Sequence, residues 1–225
     1  MPAQPAPAPL EPYTGPDFHG RIGFLGGSFN PVHLGHLSIA QQVRAQVGLL
    51  KVVLVPNNRS PFKQDADGLA APVHRLAMCR LAAKNLRGLE VSDCEIKLPP
   101  PNYTIDTFRA WHADGVRPVM ILGADALAGL PDWKDAAELP TVGDFLWVSR
   151  PGVTPTDELR RRFVQSFGPE VAERILSARV PIEPVEISST EIRSRLQSGR
   201  EVKRFVRGDV LDYIRRYKLY GAARS

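Results

Sequence analysis

Cysteine is scarce in this chain of 225 residues: Cys79 and Cys94 are its only two. Two thiols so far apart supply neither a disulfide framework nor the close pair that binds zinc or runs redox chemistry, and both read as core or idle thiols. Long apolar runs are missing as well. No window approaches the roughly 18 apolar residues that span a bilayer, and the N-terminus lacks the basic-then-apolar order of a secretory leader; cytoplasmic residence with no membrane partner is the expectation. Two phosphate-binding signatures are absent, the G-x-G-x-x-G of dinucleotide folds and the G-K-[ST] of a P-loop. What is present is a basic surplus. A net charge of +5 and a pI near 9.4 suit anionic partners, either nucleic acid or small phosphorylated molecules. With 43% hydrophobic residues the chain can bury one ordinary core, or one core with a small appended part.

The opening segment MPAQPAPAPLEPYTGP holds six prolines in sixteen residues and little apolar periodicity, so residues 1–19 are expected to form a disordered tail. A single domain is expected over 20–225. Within it, RIGFL (21–25), KVVLVP (51–56), LEVSD (89–93), PVMILGAD (118–125), DFLWVSRPG (144–152) and VPIEPVEI (180–187) read as strands. Helical spacing falls between them, over 36–47, 72–86 and 103–112, and a basic helical part closes the chain over 188–225, mainly Ser189 to Tyr217. Continuous apolar strands alternating with helices predict an α/β fold: a doubly wound, mainly parallel sheet with helices on both faces. Such sheets bind ligands beyond the carboxyl ends of their strands. The motif-like segments lie there: Gly26 to His36, Asn57 to Lys63, Gly123 to Asp125, Arg150, and Ser188 to Arg193. The loop from Pro56 to Pro72 is long and polar, a candidate lid or binding loop.

The segment GGSFNPVHLGH, Gly26 to His36, carries the clearest chemistry. Gly26 and Gly27 leave the backbone bare for close approach of a phosphate chain, Pro31 stiffens the turn, and the following helix, starting near His33 or Leu34, aims its N–H groups and positive dipole end at the same place. His33 and His36 are three apart and share a helical face, so two imidazoles can grip one phosphoryl group. Half of a metal site is the competing reading. His74 and His112 lie on other predicted helices without companions, so no protein-bound metal is expected. Further on, Ser188 and Glu191 fit a capping box that opens a helix. Its first turn presents N–H groups with the hydroxyls of Ser189 and Thr190, and Arg193 follows on the same face as Thr190. Arg195, Arg200, Arg204 and Arg207 read as a solvated basic face.

GGSFNPVHLGH resembles the H-x-G-H signature of the nucleotidylyltransferase superfamily. HRLAM, YTIDT, LGADAL with a following DW, SRPG, ISSTEIRSRL and YIRRYKLY are together similar to the motifs of bacterial nicotinate mononucleotide adenylyltransferases, over roughly Arg21 to Tyr220. The resemblance implies a Rossmann-like nucleotidyltransferase fold and a reaction of ATP with nicotinate mononucleotide. The products would be nicotinate adenine dinucleotide, a precursor of NAD, and pyrophosphate, by in-line attack without a covalent enzyme intermediate. It implies Mg2+ carried mainly by the ATP phosphates, small-molecule partners and no nucleic acid; a homo-oligomer is left open. His33 and His36 would be catalytic. ATP would meet Gly26, Gly27, Ser28, Phe29, His33, Gly35, His36, Gly123, Asp125, Arg150, Ser188, Ser189, Thr190 and Arg193. The mononucleotide would meet Asn30, Lys63, Tyr103, Thr104 and Trp133, with Trp133 stacking on the pyridine ring.

Departures from the family pattern touch the choice of mononucleotide. Phe62 stands where histidine is frequent, Asn30 where aspartate is frequent, and Asn102 where serine is frequent. The resemblance thus implies adenylyl transfer and leaves open the choice between the acid and the amide mononucleotide. Phosphopantetheine adenylyltransferase shares the opening motif but lacks the YTIDT and GAD…W pair. A class I aminoacyl-tRNA synthetase would need a tRNA-reading domain and a K-M-S-K-S-like loop. A nonenzymatic nucleotide or RNA binder would use Phe205, Tyr213, Tyr217 and Tyr220 as an aromatic platform, yet Tyr213 and Tyr217 are spaced as a helix packing face.

Overall fold

The computed structural model describes residues 10–59, 68–150, 153–183 and 186–222. Six strands among them form one sheet in the order β3-β2-β1-β4-β5-β6. They are β1 (Ile22–Gly27), β2 (Lys51–Pro56), β3 (Leu89–Val91), β4 (Val119–Gly123), β5 (Asp144–Ser149) and β6 (Arg179–Pro181). Every neighbouring pair is parallel. The doubly wound expectation holds, and the strand order reverses between β1 and β4, where such folds open a crevice.

The apolar strands still alternate, because both faces are covered. Leu25, Val52, Leu54, Val119, Ile121, Leu146 and Val148 enter one core. Phe24, Val53, Val55, Met120, Leu122, Phe145 and Trp147 enter the other. Against the first pack α1 (Leu34–Val47), α2 (Pro72–Ala83), α9 (Ser189–Gln197) and α10 (Gly208–Arg216). The second face carries α4 (Thr104–Ala113), α5 (Ala124–Gly129), α7 (Asp157–Phe167) and α8 (Pro169–Ser177), with the short α3 (Cys94–Lys97) and α6 (Leu139–Val142) in the connections. The cysteines are unpaired, Cys79 buried and Cys94 half-buried.

Element boundaries have local causes. The first helix begins at Leu34, close to the expected start near His33 or Leu34, with His33 in extended conformation as its N-cap, and ends at left-handed Gly48. The last strand is three residues, not eight: its final bond to β5 runs from Ile182 N–H to Ser149 O at 3.0 Å, and the next N–H, that of Glu183, turns to Gln42 Oε1 at 2.8 Å. The basic C-terminal helical part consists of two helices, α9 and α10. Helices α7 and α8 carry no motif, and sequence reading left them unmarked; each buries one stripe, Phe163 on α7 and Ala172, Ile175 and Leu176 on α8. The expected tail is corrected too. Residues 1–9 lie outside the described residues, but Phe18 is buried in the first core and Tyr13 packs against it. The Tyr13 hydroxyl donates to the Pro16 carbonyl at 2.7 Å, and Glu11 is hydrogen-bonded to Arg179.

Candidate active site

β1 runs out into Gly26 and Gly27 at the switch point. Both glycines line a cleft of about 340 Å³, but their bareness also serves packing. A Cβ on Gly26 would meet the Phe24 ring at 2.8 Å, and one on Gly27 would touch the Phe29 ring at 3.4 Å. The turn that follows passes through Phe29 at φ 45, a left-handed backbone that costs a non-glycine residue energy, and its ring is buried. Phe29 therefore does not project toward a ligand. It supports His36, whose ring it meets edge-on at 5.0 Å.

His33 and His36 come together as expected. The rings stack with centroids 3.7 Å apart and planes inclined by 27°. His36 Nδ1 accepts from the His33 backbone N–H at 3.2 Å, which leaves the proton of a neutral His36 ring on Nε2. His33 is 7% exposed, its Nδ1 has no partner among the described residues, and burial lowers its pKa to about 4. It is therefore a neutral imidazole near pH 7 rather than a cation. Gly35 makes room for it: a Cβ there would stand 3.0 Å from His33 Nδ1 and from Ile187 Cγ2. The helix tip is less open than its sequence suggests, because Leu34 N–H is committed to the Phe205 carbonyl at 2.9 Å. The dipole end remains.

Two cavities flank this first turn of α1 and share Ile39. The larger is lined by His36, Gly123, Tyr103, Thr104 and Trp133, among others. Trp133 is half-buried, packs on the second core and also faces this cleft, so its packing and ligand-facing readings coexist. Beside it, Lys134 Nζ lies 4.6 Å over the Tyr103 ring and bonds Asp106 at 3.2 Å. The second cavity, about 270 Å³, is lined by His33, Gly35, Ala124, Val148, Ser149, Arg150, Ile182 and Ile187. The Ser149 hydroxyl is buried there without a partner among the described residues. Asp125 lies exposed in the first turn of α5, whose N-cap is Gly123.

Other expected residues sit elsewhere. Asn30 is buried and spends its side chain inside the protein: Nδ2 donates to Gly68 O at 3.0 Å, while Oδ1 accepts from Ala70 N at 3.0 Å and from the Tyr220 hydroxyl at 2.7 Å. It lines neither cavity and is a clasp, not a mononucleotide contact. Ser28 offers its carbonyl to Arg75 at 2.8 Å. On α9, the Ser188 hydroxyl accepts from Glu191 N at 3.1 Å, but Glu191 turns to Arg195 at 2.6 Å, so only half of the predicted capping box is present. Ser189 Oγ donates to Pro31 O at 2.9 Å and Arg193 Nη1 to Asn30 O at 2.9 Å, bringing the start of α9, with Thr190, against the histidine turn. Lys63 and Phe62 lie outside the described residues, with the rest of 60–67 in the candidate lid. The proposed aromatic platform is engaged in packing. Tyr213 and Tyr217 rings lie 4.4 Å apart, Tyr213 is bonded to His74 Nδ1 at 3.0 Å, and Tyr220 joins the clasp.

Sequence reading missed Glu95. The residue is 6% exposed and lines the larger cleft, and its carboxyl accepts from Thr107 Oγ1 at 2.9 Å; burial raises its pKa to about 7. Asn102 Nδ2 donates to the Glu95 carbonyl at 3.0 Å, and Asn102 Oδ1 accepts from Asn58 N at 2.7 Å, so the cleft wall is one bonded unit. No group of three His, Cys, Asp or Glu among the described residues is placed to hold a metal ion, and no helix among them is long and apolar enough to cross a membrane.

Paired imidazoles at a helix start, bare strand ends and twin clefts at a switch point define a nucleotide-handling α/β protein, and the chain belongs to the cytidylyltransferase-like family, whose model matches residues 24–195. Within it the chain stands with the nicotinate-nucleotide adenylyltransferases. It is 39% identical over 200 residues to a protein named "Probable nicotinate-nucleotide adenylyltransferase" from Roseiflexus sp. (strain RS-1), covering 88% of this chain and 97% of that one. A protein of the same name from Pseudomonas putida (strain W619) is 38% identical over 211 residues, 90% of this chain and 95% of that one. The fold is shared with a solved structure described as Plasmodium falciparum nicotinic acid mononucleotide adenylyltransferase complexed with NaAD. The TM-score is 0.71 at 19% identity, covering 91% of this chain and 99% of the other.

Proposed function

We propose that this chain transfers the adenylyl group of ATP to nicotinate mononucleotide, giving nicotinate adenine dinucleotide and pyrophosphate. The observation that carries the reading is the pair of cavities on either side of the stacked histidines. One has an aromatic wall suited to a pyridine ring, the other an apolar wall with unpaired buried polar atoms suited to a purine nucleoside. The substrates follow the names of the relatives.

In the proposed reaction a 5′-phosphate oxygen of the mononucleotide attacks the α-phosphorus of ATP in line. As that bond forms, the bond from phosphorus to the α,β-bridging oxygen breaks, and its electron pair leaves with pyrophosphate. The protein positions the groups and stabilises charge. His36, through Nε2–H, and neutral His33 donate to the α-phosphoryl and leaving oxygens. Gly26, Gly27, Gly35 and the dipole end of α1 receive the phosphate chain, and Ser188, Ser189, Thr190 and Arg193 flank the β- and γ-phosphates. Gly123 and Asp125 lie toward the adenosine ribose, Ser149 and Arg150 toward the purine. Tyr103, Thr104 and Trp133 receive the pyridine, and Lys63 the mononucleotide phosphate. Magnesium would travel with the triphosphate, neutralising part of its charge; no protein cage is needed for an ion that keeps phosphate and water oxygens.

The test is pyrophosphate release by purified protein with magnesium, ATP and, in turn, nicotinate mononucleotide, the amide mononucleotide and phosphopantetheine. Release with the acid mononucleotide, and far less with phosphopantetheine, is expected. Equal rates with both would remove the substrate assignment.

A further inference from the structure

Arg75, on α2, is fully buried, and no carboxylate among the described residues pairs with it. Its guanidinium is held instead by oxygens of three chain segments that converge behind the histidine turn. Nη1 donates to Ser28 O at 2.8 Å, Nη2 to Asn58 O at 2.7 Å, and Nε to Ala70 O at 2.9 Å, while Nη1 also reaches Asn57 Oδ1 at 3.4 Å. Ser28 belongs to the turn after β1, Asn57 and Asn58 follow β2, and Ala70 leads into α2. Only a planar fork with five donors can tie all three at once.

A cation buried among carbonyl dipoles alone is costly, and a carboxylate would be the usual compensation. Among the described residues, the titratable groups facing it are Cys79, one turn along α2, and Tyr220, at the far end of the Asn30 clasp. Burial pushes both the thiol and the phenol up, so each is neutral near pH 7 and neither cancels the charge. The positive field therefore persists beneath the turn that ends in His33.

We propose that Arg75 is a positioning residue for adenylyl transfer: it fixes the glycine turn in its receiving shape, and its charge, without a carboxylate partner among the described residues, has the bound polyphosphate as counter-ion. This rests on the reading of Gly26 to His36 as the phosphate site. A carboxylate placed beside Arg75 must then weaken polyphosphate binding even with every Arg75 contact retained.

Four variants separate charge from scaffold: Arg75→Lys, Arg75→Met, Cys79→Asp and Cys79→Asn. Aspartate at 79 sets a carboxyl one turn from the guanidinium, and affinities are compared at a pH where urea midpoints of the variant show that carboxyl to be ionised; asparagine has the same shape without the charge. Pyrophosphate binding by calorimetry and the KM and kcat for ATP are measured on each. Cys79→Asp is expected to bind pyrophosphate on the order of tenfold more weakly than Cys79→Asn, the effect of a unit charge at about 10 Å through an effective dielectric near 20. KM for ATP rises with it. Arg75→Lys keeps the charge and most of the pyrophosphate affinity but loses the fork, and so loses kcat; Arg75→Met loses both. If Arg75→Met or Cys79→Asp does not fold, Arg75→Lys decides: retained pyrophosphate affinity with lost kcat supports the proposal, and an unchanged kcat overturns it. Equal pyrophosphate affinity in Cys79→Asp and Cys79→Asn, or wild-type affinity in folded Arg75→Met, overturns the proposal. A wild-type protein that binds no pyrophosphate overturns the phosphate-site reading itself.

Discussion

His33 and His36 stack at 3.7 Å, and the two rings differ in surroundings: His33 is buried, its Nδ1 without a partner among the described residues, while His36 is half-buried and bonded to the backbone N–H of His33. Two imidazolium rings at that distance would repel, and burial holds His33 neutral. In the ligand-free protein, His33 is expected to titrate near pH 4 when its ring resonances are followed by NMR. Because its pKa is depressed, the folded state resists protonation. Its contribution to stability is complete above the unfolded value near 6.5 and is lost as pH falls toward 4. Adding pyrophosphate should raise the titration point, since an anion favours the protonated ring. A titration unchanged near 6.5 in both states contradicts the burial described here.

Replacement of His36 by alanine removes one donor aimed at the transferred phosphoryl group. Turnover should fall by about 10²- to 10³-fold, with thermal unfolding close to that of the parent protein. Loss of stability in step with activity would make His36 a packing residue.

Glu95 predicts a pH effect of opposite sign. Burial raises its carboxyl to about 7, so the folded state keeps a proton that the unfolded chain releases from about pH 4.5 upward. Stability from this group is complete below pH 4.5 and is lost as pH rises through 7. Glu95→Gln keeps an oxygen for the Thr107 hydroxyl and removes the ionisation. It should stabilise the protein at pH 8 by on the order of 2–3 kcal/mol relative to its effect at pH 5, read from urea midpoints at both.

Asp144 tests a site distant from the chemistry. At the start of β5 it bonds Arg117 at 2.7 Å and Arg21 at 3.1 Å, with Arg174 at 3.5 Å. Burial pushes its carboxyl up, but the Arg117 hydrogen bonds and charge, with Arg21 and Arg174, prevail and hold it below the usual range. Asp144→Ala leaves three arginines without their shared acceptor. A loss of about 3 kcal/mol in stability is expected, with kcat per folded molecule unchanged.

The sheet, its parallel sense and the meeting of the two histidines beyond a strand end were legible because they follow from local signals. Continuous apolar runs mark buried strands, and glycines with histidines after the first run mark a strand end that meets a ligand. Asn30 and Phe29 were legible as motif members, but their directions were not. Both sit in a turn whose side chains are sorted by packing with Gly68, Ala70, His36 and Tyr220, partners remote in sequence or hidden by the turn. Glu95 sits in SDCEIK, a pattern that reads as solvated, and only the arrival of Asn102 and Thr107 buries it. Arg75 was visible in HRLAM as part of a resemblance, while its role as a tie among three segments exists only in the folded chain.

The Asn30 clasp has a consequence for biosynthesis. Asn30 and the Tyr220 hydroxyl that it accepts are 190 positions apart, and a ribosome delivers the first long before the second. The nascent protein would thus carry its histidines and glycines early and yet lack the stay that holds their turn. Nucleotide should be captured late in translation, once the closing turn has emerged from the exit tunnel.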